Sequence, residues 1–415
     1  MLNHRYALTL NGKTYTKDFQ EGKESFEGKW QPVLEAAHGK HHAVCRCPGR
    51  GERKLMIKHR ERSDYYLARY AHSGPEHAND CRFYAAAPER SGLQGYAMGV
   101  VEETDDGGMR VKLARGIQQK TPGAAEVVEA PMNVAPGVKR PAMTLLGLLH
   151  LLWSESRLST WYPAMEGKRH GELVSHVLEK CAGRVSVGRI KLDQVLLLAA
   201  KKNSAREASN RGVAAEAAKH KRRLIVISPL ARYEPERHAV PQEKLPLSGP
   251  FGMPALYLQS EVWETTCQRF ARELGAWRRG RRVIAIAQIE QRTAKAHQAD
   301  VLEVGLMQVS AQWIPLDSGL EGTLEQKLRD EKRKFDKPLR YDADECEVFP
   351  DFWLLDMKEE FPLEVFGMAT PQYLERRAKK EMWYRERYGD AGWWSWDAAV
   401  APLAEEIPPL PAPNR

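Results

Sequence analysis

The 415-residue chain is predicted to be a multi-domain protein of mixed α/β class. Clustered cysteines among short β-type runs mark the first hundred residues, the middle alternates helical periodicity with β-type runs, and two apolar strands face a polar helix near the end. This length accommodates two or three domains. The reading places a β-rich domain at 1–117, a linker at 118–141, a helical and then α/β central region at 142–312, an α/β domain at 313–400 and a Pro-rich tail at 401–415.

In the first domain the informative residues are Cys45-Arg46-Cys47-Pro48-Gly49 and His77-Ala78-Asn79-Asp80-Cys81. Three thiolates and one imidazole complete a tetrahedral Zn²⁺ set, and four protein ligands leave no open position, so such a site is structural. Cys45, Cys47, His77 and Cys81 are the expected ligands, with His72 and His42 as alternatives to His77. Residues 54–59 and 65–70 are expected to form a hairpin that joins the two ligand pairs, and 96–102 with 109–114 a second one. Cys181, Cys267 and Cys346 stand singly and suit buried free thiols.

Residues 118–141 are rich in Pro, Gly and Ala and read as a linker. Helical spacing follows at 145–152, 173–181 and 192–200, which makes a packing block; a winged-helix arrangement is the alternative. An Ala-rich helical stretch at 201–223 carries a basic cluster that ends in Lys221, Arg222 and Arg223, taken as candidate phosphate contacts. A second cluster comprises Arg278, Arg279, Arg281 and Arg282. Runs at 224–228, 255–259, 283–289 and 301–309 are β-type, with a helix over 262–277. No phosphate-loop pattern is present, which argues against ATP hydrolysis.

A helix is expected over 320–335, stopped before Pro338. Asp351 then opens a strand, the chain turns around Lys358-Glu359-Glu360, and Glu364 sits inside a second apolar strand. A carboxylate among Leu363, Val365 and Phe366 needs a partner or a cation, because desolvating it costs several kcal/mol. With Asp351 beside it, Mg²⁺ or Mn²⁺ is the natural partner, and phosphodiester cleavage is the usual chemistry of such a site. Pro371 starts a helix on which Tyr373, Arg376, Lys380 and Tyr384 share one polar and aromatic face suited to substrate.

These residues resemble the PD-(D/E)xK nuclease superfamily, in which a helix with Glu precedes a strand carrying Asp and a strand carrying Glu-x-Lys. The resemblance implies a restriction-endonuclease-like fold, with Glu325 on the preceding helix completing the outer site. Phe366 stands where the lysine of Glu-x-Lys would be. Some branches carry the lysine on the following helix, which implies Lys380, or its neighbour Lys379, in that role. The last ~90 residues, ending in Trp393-Trp394-Ser395-Trp396-Asp397, also resemble an uncharacterised bacterial family carried on integrative and conjugative elements. The layout is similar to that of CoiA-like proteins, which place a small metal-binding module ahead of a nuclease domain.

Net charge is +8 and the sequence pI about 9.0, as suits contact with phosphates. Residues 1–13 are polar, without the apolar core of a secretory signal, and the apolar run at 145–153 is too short to span a bilayer. A soluble cytoplasmic protein is expected. Two functions compete: a metal-dependent deoxyribonuclease of a mobile element, and a nuclease-fold DNA-binding or assembly protein that has lost activity.

Overall fold

The computed structural model describes residues 5–60, 64–87, 90, 92–104, 107–119, 139–239, 242–292, 295–342 and 349–413. The expected turns at 61–63 and 105–106, most of the linker and Cys346 lie outside them. The protein is a mixed α/β chain divided into two compact units, Met1–Ser91 with Val101–Arg110, and Gly92–Val100 with Val111–Arg415.

The first unit is built on strands β1 (Leu8–Leu10), β2 (Lys13–Tyr15), β3 (Ala43–Cys45), β4 (Lys54–Arg60) and β5 (Asp64–Arg69), with helices α1 (Lys17–Glu21) and α2 (Trp30–Ala37). Asn11 and Gly12, both at positive φ, form the two-residue turn that closes β1 on β2. The order β2-β1-β3-β4-β5 is antiparallel throughout, and β4 pairs β5 from Leu55↔Arg69 to Arg60↔Asp64, as expected. Leu8, Leu10, Leu34, Ala43 and Leu55 fill the core beside the three cysteines. Strands β6 (Val101–Glu103) and β7 (Met109–Val111) follow.

The second unit begins with α3 (Leu145–Glu155), β8 (Thr160–Trp161), α4 (Gly171–Ala182), β9 (Val185–Val187), β10 (Ile190–Lys191), β11 (Leu196–Leu198), α5 (Ala205–Lys219), β12 (Leu224–Pro229) and α6 (Pro235–His238). It continues with β13 (Ala255–Leu258), α7 (Ser260–Arg269), α8 (Ala271–Arg278), β14 (Arg282–Arg292) and β15 (Lys295–Val309). The central sheet runs β11-β12-β14-β15-β13, parallel at both edges and antiparallel within. Helix α3 is buried along nearly its whole length and packs on β14 and β15, which makes it a packing helix. Residues 192–200 are not helical as expected. After a single 3-10 turn, Leu196–Leu198 forms a fully buried strand beside β12, where a continuous apolar run is normal.

The remaining elements are α9 (Gly319–Asp330), β16 (Phe335–Asp336), β17 (Phe352–Leu354), β18 (Phe361–Phe366), α10 (Pro371–Tyr388) and β19 (Trp394–Asp397). The helix expected over 320–335 stops at Asp330. Lys332 has positive φ, and the buried Arg333 turns to Asp356, with guanidinium-to-carboxylate distances of 2.7 and 2.9 Å. Sheet order is β19-β18-β17-β16-β8, so a strand from residues 160–161 completes the C-terminal sheet. The Pro-rich tail makes a 3-10 turn at Ala404–Glu406 and then runs extended and held, with Trp394 Nε1 donating to Pro409 O at 3.0 Å and Arg333 Nη1 to Pro411 O at 2.7 Å. Among the described residues no helix is long and apolar enough to cross a membrane.

Candidate active site and metal centre

Strand β18 lies between β17 and β19, so all six of its residues are buried, Glu364 with them. The helix α10 supplies its partners. Lys380 Nζ donates to Glu364 Oε1 at 2.5 Å and Tyr384 Oη to Oε2 at 2.9 Å. Burial, and then the charge of Asp351, push the Glu364 carboxyl up to about 8; Lys380 and Tyr384 pull the other way and do not overcome them.

Asp351 is fixed by backbone. Its N–H donates to Leu363 O at 2.9 Å, and its Oδ2 accepts the Val365 N–H at 2.7 Å. Its Oδ1 lies 4.0 Å from Nζ of Lys337, a buried lysine just after β16 that also reaches Asp317 and Glu321, each at 2.9 Å. Burial lowers the Lys337 pKa, but Asp317, Glu321 and Asp351 outweigh it and hold that pKa above lysine's ordinary value. Burial also drives Glu321 up to about 8, against the pull of Lys337.

The acid of α9 that faces Asp351 is therefore Glu321. Glu325, one turn later, turns to Arg329 Nε at 2.9 Å and Ser310 Oγ at 3.2 Å. Both acids are buried on one face, so the sequence pattern alone does not separate them. On α10, Tyr373 is half-buried and feels both Glu364 and Asp351, but Arg376 is exposed. The arginine on the inner face is Arg377, whose guanidinium lies 4.4 Å from the Phe366 ring and bonds Asp397 at 2.6 Å. Lys379 is exposed and pairs with Glu375 at 2.9 Å. Lys337, like Arg377, was missed; a lysine between Phe335 and Leu339 was its signal.

Lys221, Arg222 and Arg223 lie just before β12, and their contacts are with residues away from the Glu364 centre. Arg223 is buried and bound to Glu290 at 2.8 Å and Gly116 O at 3.2 Å, which makes it a structural residue. Arg222 reaches Gln194 at 3.3 Å, and Lys221 is an exposed turn residue with positive φ.

In the first unit Cys45 ends β3, Cys47 follows it, and His77 and Cys81 flank a turn after a 3-10 helix. Zn–S bonds of about 2.3 Å in a tetrahedron separate sulfurs by roughly 3.8 Å. Here Cys45 Sγ lies 3.6 Å from Cys81 Sγ, and His77 Nδ1 lies 3.6 Å from Cys47 Sγ and 3.7 Å from Cys81 Sγ. All four ligand atoms fall within 4.8 Å of one another, the single such His, Cys, Asp and Glu group among the described residues. His42 and His72 are exposed and outside it. The set is compatible with zinc. The hydrogen bond from Cys81 pulls the Cys45 thiol down to about 4, while burial raises Cys47 and the bond to Cys45 raises Cys81. Ala78 N donates to Cys47 Sγ at 3.4 Å, and Arg53 bonds the carbonyls of Cys45 and Gly49, at 3.2 and 2.6 Å. A Cβ on Gly49 would stand 2.1 Å from Glu76 O, so only glycine fits where the two ligand turns meet.

No curated protein and no solved structure matches the chain. A family model does: it matches residues 18–399, and the chain belongs to the family described as "Protein of unknown function (DUF1173)".

Proposed function

We propose that the C-terminal centre hydrolyses phosphodiester bonds of DNA with the help of Mg²⁺ or Mn²⁺. The observation that carries this reading is the contact of Lys380 Nζ with buried Glu364 beside Asp351, a lysine and two acids on the elements where a PD-(D/E)xK centre has them. Two buried carboxylates that raise each other's energy fit a hard cation, which Mg²⁺-binding proteins hold through one or two carboxylates plus water. When bound, that cation supplies charge for the scissile phosphate and a more acidic water.

The chain's own residues supply position. Asp351 is held by the Val365 N–H, Glu364 by Tyr384, and Lys380 reaches from α10 to orient the attacking water and bond a phosphate oxygen. The water oxygen bonds to phosphorus, the bond from phosphorus to one bridging oxygen breaks, one water proton leaves to solvent, and the departing oxygen takes one up. Glu321 and Lys337 position Asp351 from behind. The Cys45, Cys47, His77 and Cys81 set is a structural zinc module, and a DNA-processing step of a mobile element is the context that the sequence resemblance suggests.

The second reading, an inactive nuclease fold that holds DNA, is favoured by Phe366. It stands at the Glu-x-Lys position and is capped by Arg377 at 4.4 Å. Plasmid cleavage with and without Mg²⁺ or Mn²⁺, in wild-type protein and in Asp351→Asn, separates the two. The nuclease reading expects metal-dependent nicking that the variant loses; DNA binding without cleavage by well-folded, zinc-loaded wild type supports the second.

A further inference from the structure

Two basic clusters on the chain, one beginning at Lys201 and the other at Arg278, are left without a role by the Glu364 centre. The fold brings their ends together. A cleft of about 720 Å³ opens at the carboxyl end of the parallel pair β11 and β12, beside the start of β14 and the first turn of α4. That edge is where open α/β sheets bind ligands, and the volume is that of a small-molecule site. None of Glu364, Asp351 or Lys380 lines it.

Its charge is one-sided. Lys201, Arg232, Arg281 and Arg282 line the cleft against a single acid, Glu172, which already pairs with Lys201 at 2.8 Å. Arg232 and Arg281 are exposed and make no ion pair among the described residues. Among the described residues Arg282 bonds the carbonyls of Ser310 and Ala311, at 3.4 and 3.0 Å, with its guanidinium 4.4 Å from the Trp313 ring. Three guanidiniums without a carboxylate among them suit a phosphate, which arginine binds through paired N–H groups.

The wall is aromatic. Trp277 is buried and fixed by its Nε1 donating to Ala231 O at 2.6 Å, and half-buried Tyr233 meets it edge-on with ring centres 4.9 Å apart. A half-buried ring braced by a buried one, beside arginines that carry no carboxylate partner, is a combination that stacks a nucleobase while holding its phosphate. We propose that this cleft binds a nucleotide, the base against Tyr233, which the buried Trp277 backs, and the phosphate on Arg232, Arg281 and Arg282. The nucleotide is either a free nucleoside phosphate or the terminal unit of a single strand. Binding here needs no phosphate loop and no hydrolysis.

Calorimetric titration of the full chain without added divalent cation tests this separately from cleavage. The probes are ATP, a 5′-phosphorylated eight-residue oligothymidylate and inorganic phosphate. At least one nucleotide probe should bind ten or more times tighter than inorganic phosphate, because phosphate alone forfeits the stacking. Arg232→Ser/Arg281→Ser, both exposed and tolerant of change, should weaken that probe at least tenfold, and Tyr233→Leu should bring it towards inorganic phosphate. Lys191→Ser, exposed and outside the lining of the cleft, should leave it unchanged. Tighter ATP identifies a free nucleotide, and tighter oligonucleotide a strand end. Binding of neither nucleotide, binding no tighter than that of inorganic phosphate, or affinity indifferent to the paired arginine variant overturns the proposal.

Discussion

Lys380 Nζ lies 2.5 Å from Glu364 Oε1, although 16 residues separate them and one sits on a helix and the other inside a sheet. The contact requires the lysine stem to run inward past exposed Lys379 and Arg376, with Tyr384 one turn later closing on the other carboxylate oxygen. A buried acid, a buried hydroxyl and an inward lysine have no use for one another in a merely solvated helix face.

Glu321 and Glu325 should separate in function. If the nuclease reading holds, Glu321→Gln loosens Lys337 and through it Asp351, and cleavage should fall about 10- to 100-fold, the loss usual where a residue orients a metal ligand. Glu325→Gln breaks a pair with Arg329 in which both side chains are largely buried, and should lower stability by about 1–3 kcal/mol while the folded protein cuts at the wild-type rate. Cleavage rates set beside thermal melts check this, and a slow Glu325→Gln with a normal Glu321→Gln would reverse the assignment.

Much of this was legible in the sequence, for physical reasons that also mark where it stopped. Cys45, Cys47, His77 and Cys81 announce themselves because few other jobs need three thiols and an imidazole at that spacing. Glu364 stands out because an acid in an apolar strand is costly. By contrast, Glu321 and Glu325 are one turn apart on the same buried face, and only the position of Lys337 chooses between them. Arg376 and Arg377 are neighbours in the chain, and a helical register error of one residue exchanges an exposed side chain for one stacked on Phe366. Leu196–Leu198 reads equally as helix or strand until β12 is beside it.

The metal module should depend on its turns as much as on its ligands. Elemental analysis should find one tightly held Zn²⁺ per chain, lost in Cys81→Ser. Gly49→Ala keeps every ligand but drives a methyl into Glu76 O, so it should destabilise the first unit by about 1–3 kcal/mol. Zinc-free wild type that melts like the loaded protein would contradict this account of the cluster.

Acid should weaken the second unit through His150. The residue is buried, its Nδ1 accepts the Tyr341 N–H at 3.0 Å, and burial drives its pKa from 6.5 down to about 4. The unfolded chain therefore binds a proton that the folded one refuses between those two values. The resulting loss of stability is nearly absent above pH 6.5 and grows as pH falls towards 4, to a limit of about 3 kcal/mol. His150→Asn keeps an acceptor for Tyr341 but cannot titrate. Its melting temperature should fall less than that of wild type between pH 7 and pH 4.5, as circular dichroism can follow.

The most direct test of the nuclease reading is the rate of DNA cleavage by Lys380→Met compared with Lys379→Met, in protein whose fold and zinc content match wild type. Wild type and Lys379→Met are expected to cut at similar rates and only with added Mg²⁺ or Mn²⁺. Lys380→Met should be about 10²–10³-fold slower, the usual loss when one group that stabilises the transition state is removed. Equal rates for all three proteins, or no metal-dependent cutting by wild type, would contradict the claim that Lys380 and Glu364 form a catalytic centre.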